Sequence, residues 1–572
     1  MTSSTPEAAP LTDAEIITHY QAGTLLSELR RPADTSHQEA LHRKLATLHN
    51  AGSIDLLALT ATPEFQNLDR RHFFAIQQVY CDTIPLLDAH PLAMLKMVQR
   101  VVTQAGNDGV ATMPRDALRR WIGQAPGRAK EIVAAGQLDP GMDREVLRDA
   151  LVTLGDLSSI MSFFVVADPR RQAAIAALGA LKPQSQQAGD AAFAALVSIA
   201  AADPDEDMRF TALFAAFGLL ENCKAQAPQW VPTLVAAVTA APSNSTRTAL
   251  LQGLWRQTEL FQTADAKATL AVASDGDLTA GHLFGTLDAT LSRLIGGVYH
   301  DLAIDCLTAL LAHAGKAIPL DNFQVLQHRL PALDRTKLFA LAVRWFATDD
   351  QMLCEVMSKL IGGVQQAQPF DASLAGFGLT GSQMIVLCHK AVGYMLMAPI
   401  VAASFVVAAL RAGDKAAEPE LIQLLVQLVL INYGDIGVTY LRGIGKADIG
   451  YQPVRKALKL YGSYEKGLDI KTPIKELWPS SYQRGVVRQN HYIAGREFRK
   501  QAERQSVFFG LAHRSTLLYG RKAITYVGGP DETPMSMELK TISASVSMPR
   551  LQIIDPVGLD WLIRVFRVSK AK

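Results

Sequence analysis

The sequence has no C-x-x-C pair, and its five cysteines, Cys81, Cys223, Cys306, Cys354 and Cys388, are scattered among apolar residues. That excludes a disulfide framework and a cysteine-rich metal site, and marks them as reduced core thiols. G-x-S-x-G and H-E-x-x-H are absent. The Gly-Lys pair in GIGKAD (443–448) has Tyr440 where a phosphate loop needs its upstream glycine and Ala447 where it needs Ser or Thr. His37, His42 and His49 fall at i, i+5 and i+12 without a third metal ligand, and read as a polar stripe. His491 and His513 lie near Glu497 and Glu503, but their spacing builds no acid–base pair. No catalytic, cofactor-binding or metal-binding residue is assigned. The opening MTSSTPEAAPLTDAE has neither the basic nor the apolar part of a secretory signal. A cytoplasmic protein is expected.

What is present is core material. With 572 residues, 49% hydrophobic and 19% charged, the chain can bury several domains or one long array. The net charge of +2 conceals a division: residues 1–441 carry 33 Lys and Arg against 43 Asp and Glu, and residues 442–522 carry 17 against 6. A domain boundary is expected near residue 440.

Between residues 13 and 440 hydrophobic residues recur at helical spacing, and short turns such as DPGMD (139–143) and APSNS (241–245) separate the segments. In DREVLRDALVTLGDL (143–157), Val146, Leu147, Ala150, Leu151 and Leu154 share a face, Asp143 stands in capping position and Glu145 in the first turn. The plan returns in DPDEDMRFTALFAAFGLL (203–220) and, shorter, in DPRRQAAIAALGAL (168–181). With an acidic start, an early Arg and a small Ala for close approach, these stretches resemble HEAT-type helices. The resemblance implies an α-solenoid that binds something long, a protein segment or a nucleic acid. Without it, the periodicity still predicts amphipathic helices that bury their faces only by stacking.

The twenty uncharged residues 391–410, AVGYMLMAPIVAASFVVAAL, have the length of a membrane span. LIQLLVQLVLI (421–431) follows closely, so a membrane-associated component using 391–431 is one reading. Pro399 interrupts the first run, and Gln423 and Gln427 the second. The expectation is a buried core helix near the end of the solenoid.

After residue 440 the chain turns basic and rich in tyrosine: Tyr451, Tyr461, Tyr464, Tyr482, Tyr492, Tyr519 and Tyr526 lie among the cations. Cations and planar rings together suit an open nucleic-acid strand. The densest stretch, RGVVRQNHYIAGREFRKQAER (484–504), supplies candidate contacts Arg484, Arg488, Tyr492, Arg496, Arg499, Lys500 and Arg504. Beyond residue 523, AITYV, TISASVSM (541–548) and WLIRVFRV (561–568) alternate like strands around a GGPD turn.

The expected fold class is therefore mainly α, a HEAT-like α-solenoid followed by a smaller basic α+β domain. The divisions are a disordered arm (1–12), the helical repeats (13–440) and the basic, Tyr-rich region (441–572). The expected function is non-catalytic binding, with the basic domain on DNA or RNA and the solenoid positioning it or recruiting a protein partner. The alternative is a protein-only scaffold whose basic domain docks an acidic protein surface.

Overall fold

The computed structural model describes residues 11–30, 35–106, 112–165, 169–279, 281–312, 318–362, 368–469 and 549–571, with residues 482, 485–486, 489, 504, 523–525 and 535–537 between the last two. Almost all of it is helix. The chain forms two compact units, Met1–Ala303 and Ile304–Lys572. The expected arm lies, up to residue 10, outside the described residues. Thr12 already caps helix Asp13–Gln21, in a reciprocal box with Glu15.

In the first unit the helices form two layers. One runs Thr112–Gly123, Arg144–Leu154, Pro169–Ala180, Glu206–Asn222, Asn244–Arg256 and Gly281–Ile295, each packed on the next. Behind it stand Pro91–Ala105, Pro126–Leu138, Gln186–Ala202, Ala227–Ala240 and Thr263–Ser274. This stack of helical pairs is compatible with a solenoid.

Sequence chemistry sets the elements. The Asp143 carboxylate accepts from the backbone N–H groups of Glu145 and Val146, as its capping position predicts. Gly155 closes the same helix at φ 66°, in the left-handed region. Small residues then bring neighbours together: a Cβ on Gly179 would lie 2.6 Å from Ala215 Cα, and one on Gly218 2.8 Å from the Gly179 carbonyl oxygen.

Arginines near the helix starts tie each pair to the one after it. Arg115 reaches Asp143 at 2.6 Å, Arg171 pairs with Asp203, and Arg209 donates to the Ala241 carbonyl. The partner is 28 or 32 residues ahead. The early Arg of the 168–181 and 203–220 stretches is thus a rung between successive pairs.

In the second unit the apolar run 391–410 divides at Pro399, which stands at the first position of helix Pro399–Arg411, after helix Gly381–Met395. Val401 to Leu410 are all buried, and the ring of Phe405 meets those of Phe339, Phe346 and Phe370 at 5.2–5.7 Å. Among the described residues no helix is long and apolar enough to cross a membrane. The second run, 421–431, continues helix Glu418–Leu424 into a π-helical turn, Leu425–Leu430, whose end is held by Asn432 Nδ2 on the Gln427 and Leu428 carbonyls.

The expected strand over 561–568 is instead helix Pro556–Arg567. Asp555 caps it, Pro556 opens it, and Leu559 and Ile563, four residues apart, bury one face while Trp561 and Val565 remain exposed. Alternation in a short apolar run fits both periods, and the Asp-Pro start decides for helix. The helix packs on Gly381–Met395, where Arg567 Nε donates to the Gly393 carbonyl at 3.0 Å. Of the expected strands, AITYV contains Ala523–Thr525, antiparallel to Met535–Met537 with Ala523 opposite Met537. The 541–548 run lies outside the described residues. The described residues support the mainly α class and not an α+β terminal domain.

Replacing Gly179 by Val is expected to cost about 2 kcal/mol or more, because the new atoms meet backbone that cannot move aside cheaply. Gly123→Ala, with nothing within 4 Å of the added atom, is the control and should change stability by less than about 0.5 kcal/mol. Denaturant midpoints measure both.

Candidate nucleic-acid interface

The basic region begins in the second unit with the loop 443–450 and helix Tyr451–Asp469. The helix buries Val454, Ala457 and Tyr461 and packs on Glu418–Leu424 and the π turn. Tyr461 sits against Gly434, where a Cβ would come 2.3 Å from its hydroxyl oxygen, and burial pushes that hydroxyl up to about 12. One face is thus fixed and the opposite face is left to solvent.

Arg455, Lys459 and Lys466 fall at i, i+4 and i+11 and share the exposed stripe. At 1.5 Å per residue, Lys459 stands about 6 Å along the axis from Arg455, and Lys466 about 10 Å further. Arg455 is held over the Tyr451 ring, with Nη1 donating to the Tyr451 hydroxyl at 3.0 Å. Lys459 and Lys466 have no ion-pair partner among the described residues, and neither do Arg442 and Lys446 in the approach to the helix. Tyr464, on the other side of the helix, stacks on Tyr461 at 6.4 Å.

Other cations of the region are spent on the fold. Lys456 donates to Glu418 at 2.5 Å, and Lys415 reaches the second oxygen of the same carboxylate at 2.9 Å. Hydrogen bonds from Lys456 and then Lys415 hold the Glu418 carboxyl below its ordinary range. Arg411 grips Asp448 through Nε and Nη2, at 3.0 and 2.6 Å, and also meets Asp371 at 2.8 Å. Its bonds to Asp448 keep that carboxyl low as well. The GIGKAD segment therefore serves as an anchored loop that presents Lys446. A neighbouring cavity of about 450 Å³ is lined by Pro369, Ile400, Asp435, Ile436, Thr439 and Tyr440. With one carboxylate and no cation, it suits no anion.

Of the seven candidate contacts, Arg504 is described and exposed. Arg484, Arg488, Tyr492, Arg496, Arg499 and Lys500 lie outside the described residues, as do His491, His513, Glu497 and Glu503, whereas His37 stands in helix Thr35–Asn50. The stripe at 455, 459 and 466 escapes a reading by local charge density, which favours 484–504. Helical spacing of the cations is the signal that marks it. His42 is buried, 3.9 Å from Asp82, and burial lowers its pKa, whereas His49 contacts the Ile54 carbonyl at 3.2 Å. Among the described residues no cluster of three His, Cys, Asp or Glu side chains is placed to hold a metal. Cys81, Cys354 and Cys388 are buried, and desolvation pushes the first two thiols up to about 12.

Arg411→Leu should destabilise the second unit by about 2–3 kcal/mol, since a largely buried guanidinium and its charged bonds are removed together. A carboxylate whose folded pKa is lowered contributes stability that is complete above its ordinary value, 3.8 for Asp448, and is lost as pH falls through the lowered one. The variant should therefore lose less stability than the wild type between about pH 6 and about pH 3. Denaturation at the two pH values measures this.

No family model matches the sequence, and comparison with curated proteins finds no match. The reading of this surface therefore rests on its chemistry.

Proposed function

We propose that this is a non-catalytic, cytoplasmic binding protein in which the basic region beginning at residue 442 contacts a nucleic-acid backbone. The HEAT-like helical stack positions that region or recruits a protein partner. The observation that carries the reading is the stripe of Arg455, Lys459 and Lys466, open to solvent on a helix whose other face is locked to the core. Cations on one face of an anchored helix, with Tyr451 beside Arg455, match a phosphate backbone that also offers bases for stacking. The candidates at 484–504 join the proposal by their charge and ring content alone.

A second reading has its own support. Lys456 and Lys415 share Glu418, and Lys390 and Lys570 both approach Asp349, so acidic groups of this chain already neutralise cations of its C-terminal half. On that account the remaining cations dock an acidic protein surface.

Anisotropy of a labelled single strand, titrated across salt, separates the two readings. The wild type should bind at about 50 mM salt. Replacing Arg455, Lys459 and Lys466 with Ala should flatten the dependence of log K on log salt by about two, near 0.7 for each single-strand phosphate no longer neutralised. Replacing Arg496, Arg499 and Lys500 should act in the same direction. No wild-type binding at about 50 mM salt would replace this reading with the scaffold.

A further inference from the structure

A second surface, in the first unit, carries arginines of a different kind. On the exposed side of helix Glu206–Asn222, Phe210 and Phe214 stack at 6.4 Å, and Phe214 is 40% exposed. Arg256, at the end of the next helix in the layer, lies 4.7 Å from the centre of the Phe214 ring. Beside it Trp255 is 39% exposed, and Arg293 of helix Gly281–Ile295 lies 5.7 Å from its ring centre. Each ring thus carries the arginine of the following helix.

Neither guanidinium meets a carboxylate among the described residues, and both are exposed. In the same layer Arg119 pairs with Asp116, and the half-buried Arg148 with Glu145 and Asp149. Glu221, further along helix 206–222, accepts instead from Gln257 Nε2 at 3.0 Å. The positive charge on Arg256 and Arg293 is therefore left over.

A guanidinium resting on an aromatic face keeps its N–H edge free and oriented, which favours bidentate capture of a carboxylate. Packed helices stand about 8–10 Å apart, which sets the scale on which outward residues of successive helices recur. An extended chain in the polyproline II form rises about 3.1 Å per residue with three residues per turn, and presents side chains i and i+3 on one side about 9 Å apart. The two scales match. Exposed Phe and Trp faces flanking the two cations suit the apolar or proline residues between the acids.

We propose that this strip docks an acidic, extended protein segment, its carboxylates three residues apart on Arg256 and Arg293 and its intervening residues on Phe214 and Trp255. The inference gives chemistry to the protein partner of the helical stack, and rests on that half of the proposed function alone.

The test uses the full chain and a labelled peptide of repeated Glu-Pro-Pro, with a Gln-Pro-Pro peptide, a peptide of the same composition with shuffled spacing, and a labelled single strand as comparisons. The Glu-Pro-Pro peptide should bind and both peptide controls should bind more weakly. Arg256→Gln and Arg293→Gln should each weaken it about tenfold or more, the scale of a charged hydrogen bond removed. Arg256→Lys, which keeps charge without the planar fork, should also weaken it. Binding of the single strand should be unchanged in all three variants, whose melting should match wild type because the side chains are exposed. No peptide binding by the wild type, or binding indifferent to both arginines, overturns the proposal. Loss of single-strand binding in these variants in place of peptide binding would assign the strip to nucleic acid and overturn it equally. Failure of the peptide with the single strand still bound would remove this inference and leave the basic region's role standing.

Discussion

A short amphipathic helix gains little in water from its own hydrogen bonds, and each helix of this chain is stabilised by the neighbour that covers its apolar face. In the first unit that cover demands close approach. Gly179 and Gly218 let helices 169–180 and 206–222 meet almost backbone to backbone, and the arginine rungs follow from the repeated offset. Once helices are set side by side, their outward residues recur at regular intervals. The aromatic and arginine strip at 214, 255, 256 and 293 is one product of that regularity.

The second unit obeys the same constraint by longer routes. Its driest element, 399–411, is enclosed by aromatic rings, and the C-terminal helix 556–567 covers 381–395 from a distant part of the sequence. Phe566 stacks on His389 at 4.3 Å, and Asn432 Oδ1 accepts the backbone N–H of Leu551 at 2.9 Å. Electrostatics then separates cations that hold the fold, such as Arg411 and Lys456, from those that remain open, such as Lys459 and Arg293. Net charge alone cannot make that separation, because it depends on which acidic partner lies within reach.

Local features were legible in the amino-acid order. Asp143 announced its cap, Pro399 its break, and the small and apolar residues of 391–410 their burial, because each acts within a few residues of itself. What escaped acts across distance. Arg411 finds Asp448 and Lys456 finds Glu418 only after helices pack, and Arg256 meets Phe214 only because neighbouring helices are in register. The strand expected at 561–568 failed for a local reason: Val, Ile and Phe favour strands, but Asp555 and Pro556 begin a helix. The stripe at 455, 459 and 466 was legible in principle, since its spacing is written in one helix. The chemistry of 484–504 stayed an expectation from composition.

The central claim is that nucleic acid lies along the region beginning at residue 442. Ultraviolet crosslinking of a single-stranded oligonucleotide to the full chain, with the modified peptides identified by mass spectrometry, tests it most directly. The account predicts crosslinks at Tyr451 and within 482–504, with the helices of the first unit unmodified. Crosslinks confined to the first unit, or none under conditions where the oligonucleotide binds, would contradict it.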